Sequence, residues 1–232
     1  MKNLAIIPAR GGSKRIPGKN IKPFLGKPII AYSIETALNS GLFDEVMVST
    51  DDDEIAKVAQ RYGASVPFKR SSKNAGDFAN TVDALLEVLD QYEALGKSFD
   101  YACCIYPTAP FITIDMLKKS FQKIKDSDYN SIFPAILYPS PIQRAFTIAS
   151  SGKIQLLQPE YFFRRSQDLE PVYYDCGQFY WFKPKVVIKT KNVFTDNTGV
   201  IILSEMDTHD IDTPEDWKMA EFKYQFLRNA KK

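Results

Sequence analysis

The stretch Leu4-Ala5-Ile6-Ile7-Pro8-Ala9-Arg10-Gly11-Gly12-Ser13-Lys14-Arg15-Ile16-Pro17-Gly18-Lys19-Asn20 changes character part-way along. Residues 4–7 are an uninterrupted apolar run, which reads as a buried first strand. Residues 8–20 then carry Arg10, Lys14, Arg15 and Lys19 with three glycines, two prolines and no acid. Glycine lets a backbone approach a ligand and turn its amides toward it, and cations at that density call for a polyanion. A triphosphate is the natural candidate. A Walker A loop does not fit, because that motif sets four residues between its first glycine and Gly-Lys-Ser/Thr. Here five residues separate Gly12 from Gly18, and Asn20 replaces the magnesium-binding hydroxyl. Pro23 and Pro28 also forbid the long helix that should follow at once. A solvated basic loop is the plainer alternative, since basic runs usually face water. Glycines and prolines gathered at a strand exit argue against it.

Outward from this loop, strand and helix signals alternate. Pro28 opens a helix with the apolar stripe Ile30, Ile34, Ala37 and Leu38, stopped by Gly41. Residues 45–49 read as a strand. Asp51-Asp52-Asp53 then precede a second stripe, Ile55, Ala59 and Tyr62, stopped by Gly63. The pattern predicts a third helix over 80–92, a strand over 101–106, a helix over 116–124 and an extended segment over 131–137. Repeated βα units with short connections imply an α/β fold, a mostly parallel sheet covered on both faces. The rhythm changes near Tyr138. Residues 145–157, with Ser150-Ser151-Gly152 at their centre, predict a hairpin that leaves the main sheet. Residues 172–182 are aromatic and extended, 200–203 read as a return strand, and Pro214 begins a last helix with Trp217, Ala220, Phe222 and Tyr224 as packing residues. Residues 229–232 read as a frayed tail. The expectation is one domain over 1–232, with an excursion at about 138–172.

Composition bounds the partners. The 232 residues suit one substantial domain, and 44% hydrophobic with 25% charged residues is ordinary for a globular chain. A net charge of +2 gives no case for nucleic acid or an anionic membrane as main partner. No apolar run approaches the roughly 18 residues of a membrane helix. Pro8 and Arg10 interrupt the first apolar segment before it could serve as a secretory core. Cys103, Cys104 and Cys176 lack metal-type spacing, so reduced thiols in a cytoplasmic protein are expected.

Residues 7–20 resemble the first motif of the cytidylyltransferases that activate nonulosonic acids, the CMP-sialic acid synthetase family. There the strand leads into Ile-Pro-Ala-Arg-Gly-Gly-Ser-Lys and then Ile-Pro-Gly-Lys-Asn. The visible departure is Arg15, where sialic acid enzymes commonly carry glycine. The resemblance covers essentially the whole chain. It implies a three-layer Rossmann-like nucleotidyltransferase with a mostly parallel mixed sheet. It also implies CTP phosphates held by Arg10, Lys19 and the backbone of Ala9, Gly11, Gly12, Ser13 and Lys14, with Asn20 beside the nucleoside. Arg10 and Lys19 would stabilise the α-phosphate and the departing pyrophosphate. The segment Phe68-Lys69-Arg70, with Asp77, Ala79 and Thr81, resembles the region that contacts base and ribose; capping of the following helix is the alternative for Asp77.

Asp210 and Asp212 flank Ile211, and alternation puts both carboxylates on one side of an extended segment. Such a pair suits Mg²⁺, which combines carboxylates with phosphate oxygens and water. Helix capping ahead of Pro214 explains Asp212 or Thr213 but not Asp210. The family's Asp-Ile-Asp metal motif falls here and implies that both bind Mg²⁺. The run Asp51-Asp52-Asp53 is a rival acidic cluster. An Asp-X-Asp site would suit a GT-A glycosyltransferase, whereas its place before a helix suits capping, with Asp51 near the site.

The sugar end departs from the sialic acid enzymes. Their Leu-Gln-Pro-Thr-Ser-Pro appears as Ile105-Tyr106-Pro107-Thr108-Ala109-Pro110, and their Tyr-X-Asn-Gly-X-X-Tyr as Tyr174-Asp175-Cys176-Gly177-Gln178-Phe179-Tyr180. Together with Ser140-Pro141-Ile142-Gln143-Arg144 this resembles the pseudaminic acid branch, with Tyr106, Gln178 and Tyr180 implied at the sugar. A nonulosonic carboxylate suits guanidinium, and Arg144, Arg164 and Arg165 are the candidates, the last also as a catalytic residue. Interface ion pairs are the alternative for Arg164 and Arg165. The family's excursion docks onto a second subunit, which implies a homodimer. Besides the GT-A reading, a catalytically silent nucleotide-binding regulator remains a rival. The residues name no general base, and a metal-bound hydroxyl or Asp212 is the candidate, Asp212 being counted with the catalytic residues.

Overall fold

The computed structural model describes residues 1–76 and 79–229. In chain order, β1 (Asn3–Pro8) is followed by a small hairpin, β2 (Pro23–Phe24) and β3 (Lys27–Pro28), and by α1 (Ile29–Ser40). Next come β4 (Glu45–Ser49), α2 (Asp53–Arg61), α3 (Ser72–Ala75), α4 (Thr81–Ala94), β5 (Tyr101–Ile105), α5 (Ile114–Lys125) and β6 (Ser131–Leu137). The excursion hairpin is β7 (Phe146–Ile148) and β8 (Ile154–Leu156), and the chain returns through β9 (Tyr173–Asp175), β10 (Phe179–Phe182), α6 (Pro184–Thr190), β11 (Thr198–Ile202) and α7 (Pro214–Asn229).

The main sheet runs β11-β6-β10-β5-β1-β4, with β9 on the outer end of β6. β1 is parallel to β4 and β5, and β6 to β11; β10 is antiparallel to both its neighbours. The expected three-layer α/β architecture with a mostly parallel mixed sheet is therefore present. Strand alternation feeds two cores. Ala5, Ile7, Cys103, Ile105, Phe179 and Trp181 pack beneath α1, α2 and α5. Leu4, Ile6, Ala102, Cys104, Tyr180 and Phe182 pack beneath α4 and α6. A third core has no counterpart in the strand pattern. It joins Ile16 of the basic loop, Phe24 of β2, Ile29 and Tyr32 of α1, Ile211, and Trp217 and Ala220 of α7.

Residues 172–182 are not one strand, as the aromatic pattern suggested. β9 pairs Asp175 with Ala135 and β10 pairs Trp181 with Ile132, so residues 176–180 oppose only Phe133 and Pro134. Proline offers no N–H to a ladder, and bulges gather where pairing lapses. Gly177, at φ 62°, makes the turn. Two helices escaped the sequence reading, α3 and α6, both short. Phe222 is 66% exposed while Trp217 and Ala220 are buried, because five residues from Trp217 carry it to the opposite face of α7. Leu38 likewise faces outward from α1. α7 runs through Asn229, the first residue of the expected tail. β7 and β8 form a separate two-stranded sheet that pairs Phe146 with Leu156 and Ile148 with Ile154.

Candidate active site

The basic loop leaves β1 where β4 lies on one side and β5 on the other. In open α/β sheets such a switch in strand order creates the ligand crevice. Ala9 is fully buried and donates its N–H to the Ser49 carbonyl at 2.9 Å, so the loop starts as an extension of the sheet. The Gly11 N–H donates to the Asp51 carboxylate at 3.0 Å. A Cβ on Gly11 would lie 2.7 Å from Asp52 Oδ2. Asp52 cannot readily yield, since it caps α2 by accepting from the Glu54 and Ile55 amides at 2.8 and 3.0 Å. Glycine 11 is thus required by close approach, and its amide braces the loop instead of facing a ligand. Asn20 Nδ2 donates to the Arg10 carbonyl at 2.9 Å and closes the loop from its far end.

A cavity of about 690 Å³ opens beside this loop. Arg10, Ser13, Lys14, Arg15, Lys19 and Asn20 line one wall; Arg70, Ala79, Thr81 and Tyr106 line the other. The lining holds five cations and no acid among the described residues, which gives the cavity a positive potential. Arg10 Nη1 donates to the Gly76 carbonyl at 2.9 Å. Arg70 is buried, donating from Nε to Ser49 Oγ at 3.0 Å and from Nη2 to the Ser49 carbonyl at 2.7 Å. Burial lowers its proton affinity, yet guanidinium stays charged. Thr81 Oγ1 and the Tyr106 hydroxyl lie 3.2 Å apart, and burial raises the Tyr106 pKa. Behind Tyr106, the Tyr180 hydroxyl donates to Asp175 at 2.6 Å, and Asp175 also accepts from the Gly177 N–H at 2.9 Å. Burial pushes the Tyr180 pKa above the tyrosine range. Gln178 is 2% exposed; its Nε2 donates to the Cys176 carbonyl at 3.1 Å while Oε1 is buried without a partner.

The Asp210–Asp212 segment is brought to the loop by the third core. Ile211 is fully buried there, and Lys223 of α7 donates to the Thr208 carbonyl at 2.6 Å. Lys19 Nζ donates to the Ile211 carbonyl and stands 3.5 Å from Asp212 Oδ1. Arg15 Nη1 lies 2.7 Å from Asp212 Oδ2. Capping of α7 falls to Thr213 and Asp216: the Asp216 N–H donates to Thr213 Oγ1 at 3.2 Å, and the Thr213 N–H to Asp216 at 2.7 Å. Neither Asp210 nor Asp212 is consumed as a cap. Loss of water around Asp210, then the neighbouring Asp212 charge, raises its pKa. Two carboxylates that repel each other beside an anion cavity fit a hard divalent cation. Among the described residues no group of three or more His, Cys, Asp or Glu side chains could hold a metal.

The rival acidic run is occupied by structural work. Asp51 takes the Gly11 amide, Asp52 caps α2 and Asp53 pairs with Lys69. Of the expected sugar-side arginines, Arg144 donates to Ser166 Oγ at 3.3 Å, Arg164 stacks 5.1 Å over the Tyr161 ring, and Arg165 pairs with Asp168 at 2.7 Å. All three sit on the excursion and none lines the cavity of their own chain. Asp77 lies outside the described residues; the cap of α4 is Asn80, in a reciprocal capping box with Asp83. His209 Nε2 is buried without a partner, and burial lowers its pKa. Sequence reasoning missed the Arg15–Asp212 pair and the bracing role of Asp175. The departure at Arg15 was the one available signal.

With this geometry in view, comparison with known proteins assigns the chain. The family profile described as Cytidylyltransferase matches residues 4–212. The chain belongs to the cytidylyltransferase family. This cytidylyltransferase is 41% identical over 225 residues to the pseudaminic acid cytidylyltransferase of Campylobacter jejuni serotype O:23/36, covering 97% of both chains. It is 36% identical over 230 residues to the CMP-N,N'-diacetyllegionaminic acid synthase of Legionella pneumophila, covering 95% of both. Its fold resembles CMP:2-keto-3-deoxy-manno-octonic acid synthetase, solved with CTP, at a TM-score of 0.69 and 18% identity over 99% of this chain and 100% of that one. The expected enzyme class and fold are thereby established, and the GT-A and silent-regulator readings fall away.

Proposed function

We propose that this cytidylyltransferase transfers CMP from CTP to the anomeric hydroxyl of a nonulosonic acid, pseudaminic acid by preference, releasing pyrophosphate. The observation that carries the reading is the contact of the cavity's basic loop with the Asp210–Asp212 segment, made by Lys19 through the Ile211 carbonyl across 192 residues and through Asp212. The choice of sugar is supported by the relative at 41% identity and by the departures at Tyr106 and Cys176.

In this mechanism Arg10, Lys14 and Lys19 neutralise the triphosphate, while Arg70, Ala79 and Thr81 hold the nucleoside and Asn20 keeps the loop closed. The sugar hydroxyl attacks the α-phosphorus in line, and catalysis is chiefly positioning and charge neutralisation. Asp210 and Asp212 would hold Mg²⁺, which would supply positive charge between the two anionic substrates. Tyr106, Gln178 and Tyr180 shape the sugar end. Arg144, Arg164 and Arg165 reach a cavity if the excursion docks onto a second subunit, which the exposed Phe146, Ile148, Leu157 and Phe163 favour. The enzyme works as a homodimer in the cytoplasm; among the described residues no helix is long and apolar enough to cross a membrane.

The test is pyrophosphate release from CTP and Mg²⁺ with pseudaminic or N-acetylneuraminic acid. Release with pseudaminic acid is expected, and Asp210→Asn should abolish it while CTP still binds. Silence with both acids would sink the reading, and preference for the neuraminic substrate would overturn the choice of sugar.

A further inference from the structure

Both oxygens of Asp212 face cations, and the two cations are held differently. Lys19 is 18% exposed and anchored by the Ile211 carbonyl, so it keeps its place whatever Asp212 does. Arg15 is 66% exposed and meets Oδ2 at 2.7 Å. It also stands on the wall of the anion cavity. A divalent cation reaching Asp212 competes with this guanidinium, and a polyphosphate in the cavity offers it an alternative, bidentate partner. An ion pair this exposed is weak, so the exchange costs little.

We propose that Arg15 is an exchangeable counter-ion, neutralising Asp212 in the ligand-free protein and passing to the nucleotide phosphates when a divalent cation takes the carboxylate. The proposal rests on the reading above in needing a polyphosphate and a cation in this cavity. Each ligand relieves the other's competitor or partner, so the two bind with positive, reciprocal coupling. Cation without nucleotide is held weakly, and nucleotide supplies the missing ligands while removing Arg15.

The experiment measures Mn²⁺ binding without nucleotide, by the electron paramagnetic resonance of free Mn²⁺, for wild type, Arg15→Gly and Arg15→Lys. A second titration measures CTP binding in EDTA by calorimetry. Arg15→Gly should bind Mn²⁺ about fivefold more tightly, the fold-change that one screened ion pair supplies, with Arg15→Lys between it and wild type. The same variant should bind metal-free CTP several-fold more weakly. Wild-type Mn²⁺ affinity in Arg15→Gly, or unchanged CTP affinity, would overturn the exchange while leaving cytidylyl transfer standing. Wild-type protein that binds no CTP even with metal would instead sink the functional reading itself.

Discussion

Gly11 and Gly12 are neighbours in sequence and opposites in structure, which makes them a sharp test of how the loop is held. Replacing Gly11 by alanine puts a methyl 2.7 Å from Asp52 Oδ2 and 3.1 Å from its Cβ, inside the 3.4 Å where ordinary contact begins. Rotation of the Asp52 carboxylate cannot clear the Cβ contact. If Asp52 moves away, α2 loses its cap, at about 1 kcal/mol. If the loop moves instead, the charge-assisted Gly11–Asp51 hydrogen bond goes, at about 1.5–3 kcal/mol. Either route destabilises by at least about 1 kcal/mol, which lowers Tm by about 2–4 °C in a chain of this size. Loop displacement of about 1 Å also misplaces Arg10 and Lys14, and such errors can cost about 10²-fold in rate. Gly12→Ala meets nothing within 4 Å, and should leave Tm unchanged or slightly raised. Thermal unfolding and kcat/KM for CTP measure both effects. On an Asp52→Ala background the Gly11→Ala penalty should shrink, a coupling of about 1 kcal/mol. Equal Tm and kcat/KM for Gly11→Ala and Gly12→Ala would refute the close-approach account.

Glu45 carries a pH-dependent share of stability. Burial alone would raise its pKa, but hydrogen bonds from Tyr92, Lys97 and Ser65 reverse this and hold it below the usual glutamate value. A depressed folded pKa stabilises above the ordinary glutamate range, and the gain is lost as pH falls through the folded value. Glu45→Gln should therefore lose about 1–3 kcal/mol at pH 7, with the gap to wild type closing in acid during urea titrations. A gap of equal size at every pH would show that the charge plays no part. The excursion exposes Ile148 at 70% and Phe163 at 91%; replacing both with glutamate should convert a dimer into a folded monomer by light scattering, and a monomeric wild type would contradict the dimer.

The elements nearest the opening motif were the most legible. Apolar runs and helix stripes gave α1, β4, α2, α4, β5 and α5, because each has one period and a clear stop such as Gly41 or Gly63. The region 172–182 defeated the same reasoning: the interruption is caused by Pro134 on the partner strand, which local sequence cannot reveal. The acids at 51–53 read correctly as helix-starting residues, yet the grip of Asp51 on Gly11 crosses 40 residues and appears only on folding.

By itself the sequence determined the strand-exit loop, its concentration of cations, the βα repeat, and two carboxylates spaced by alternation at 210 and 212. These are properties of residue type and short spacing. Only the tertiary structure decided what the two motifs do together. Ile16 and Ile211 share one buried core with α7, and that burial sets Lys19 and Arg15 against Asp212. Contacts between residues this far apart in the chain depend on how helices and strands pack, and no local pattern of the loop records which acid will neutralise it.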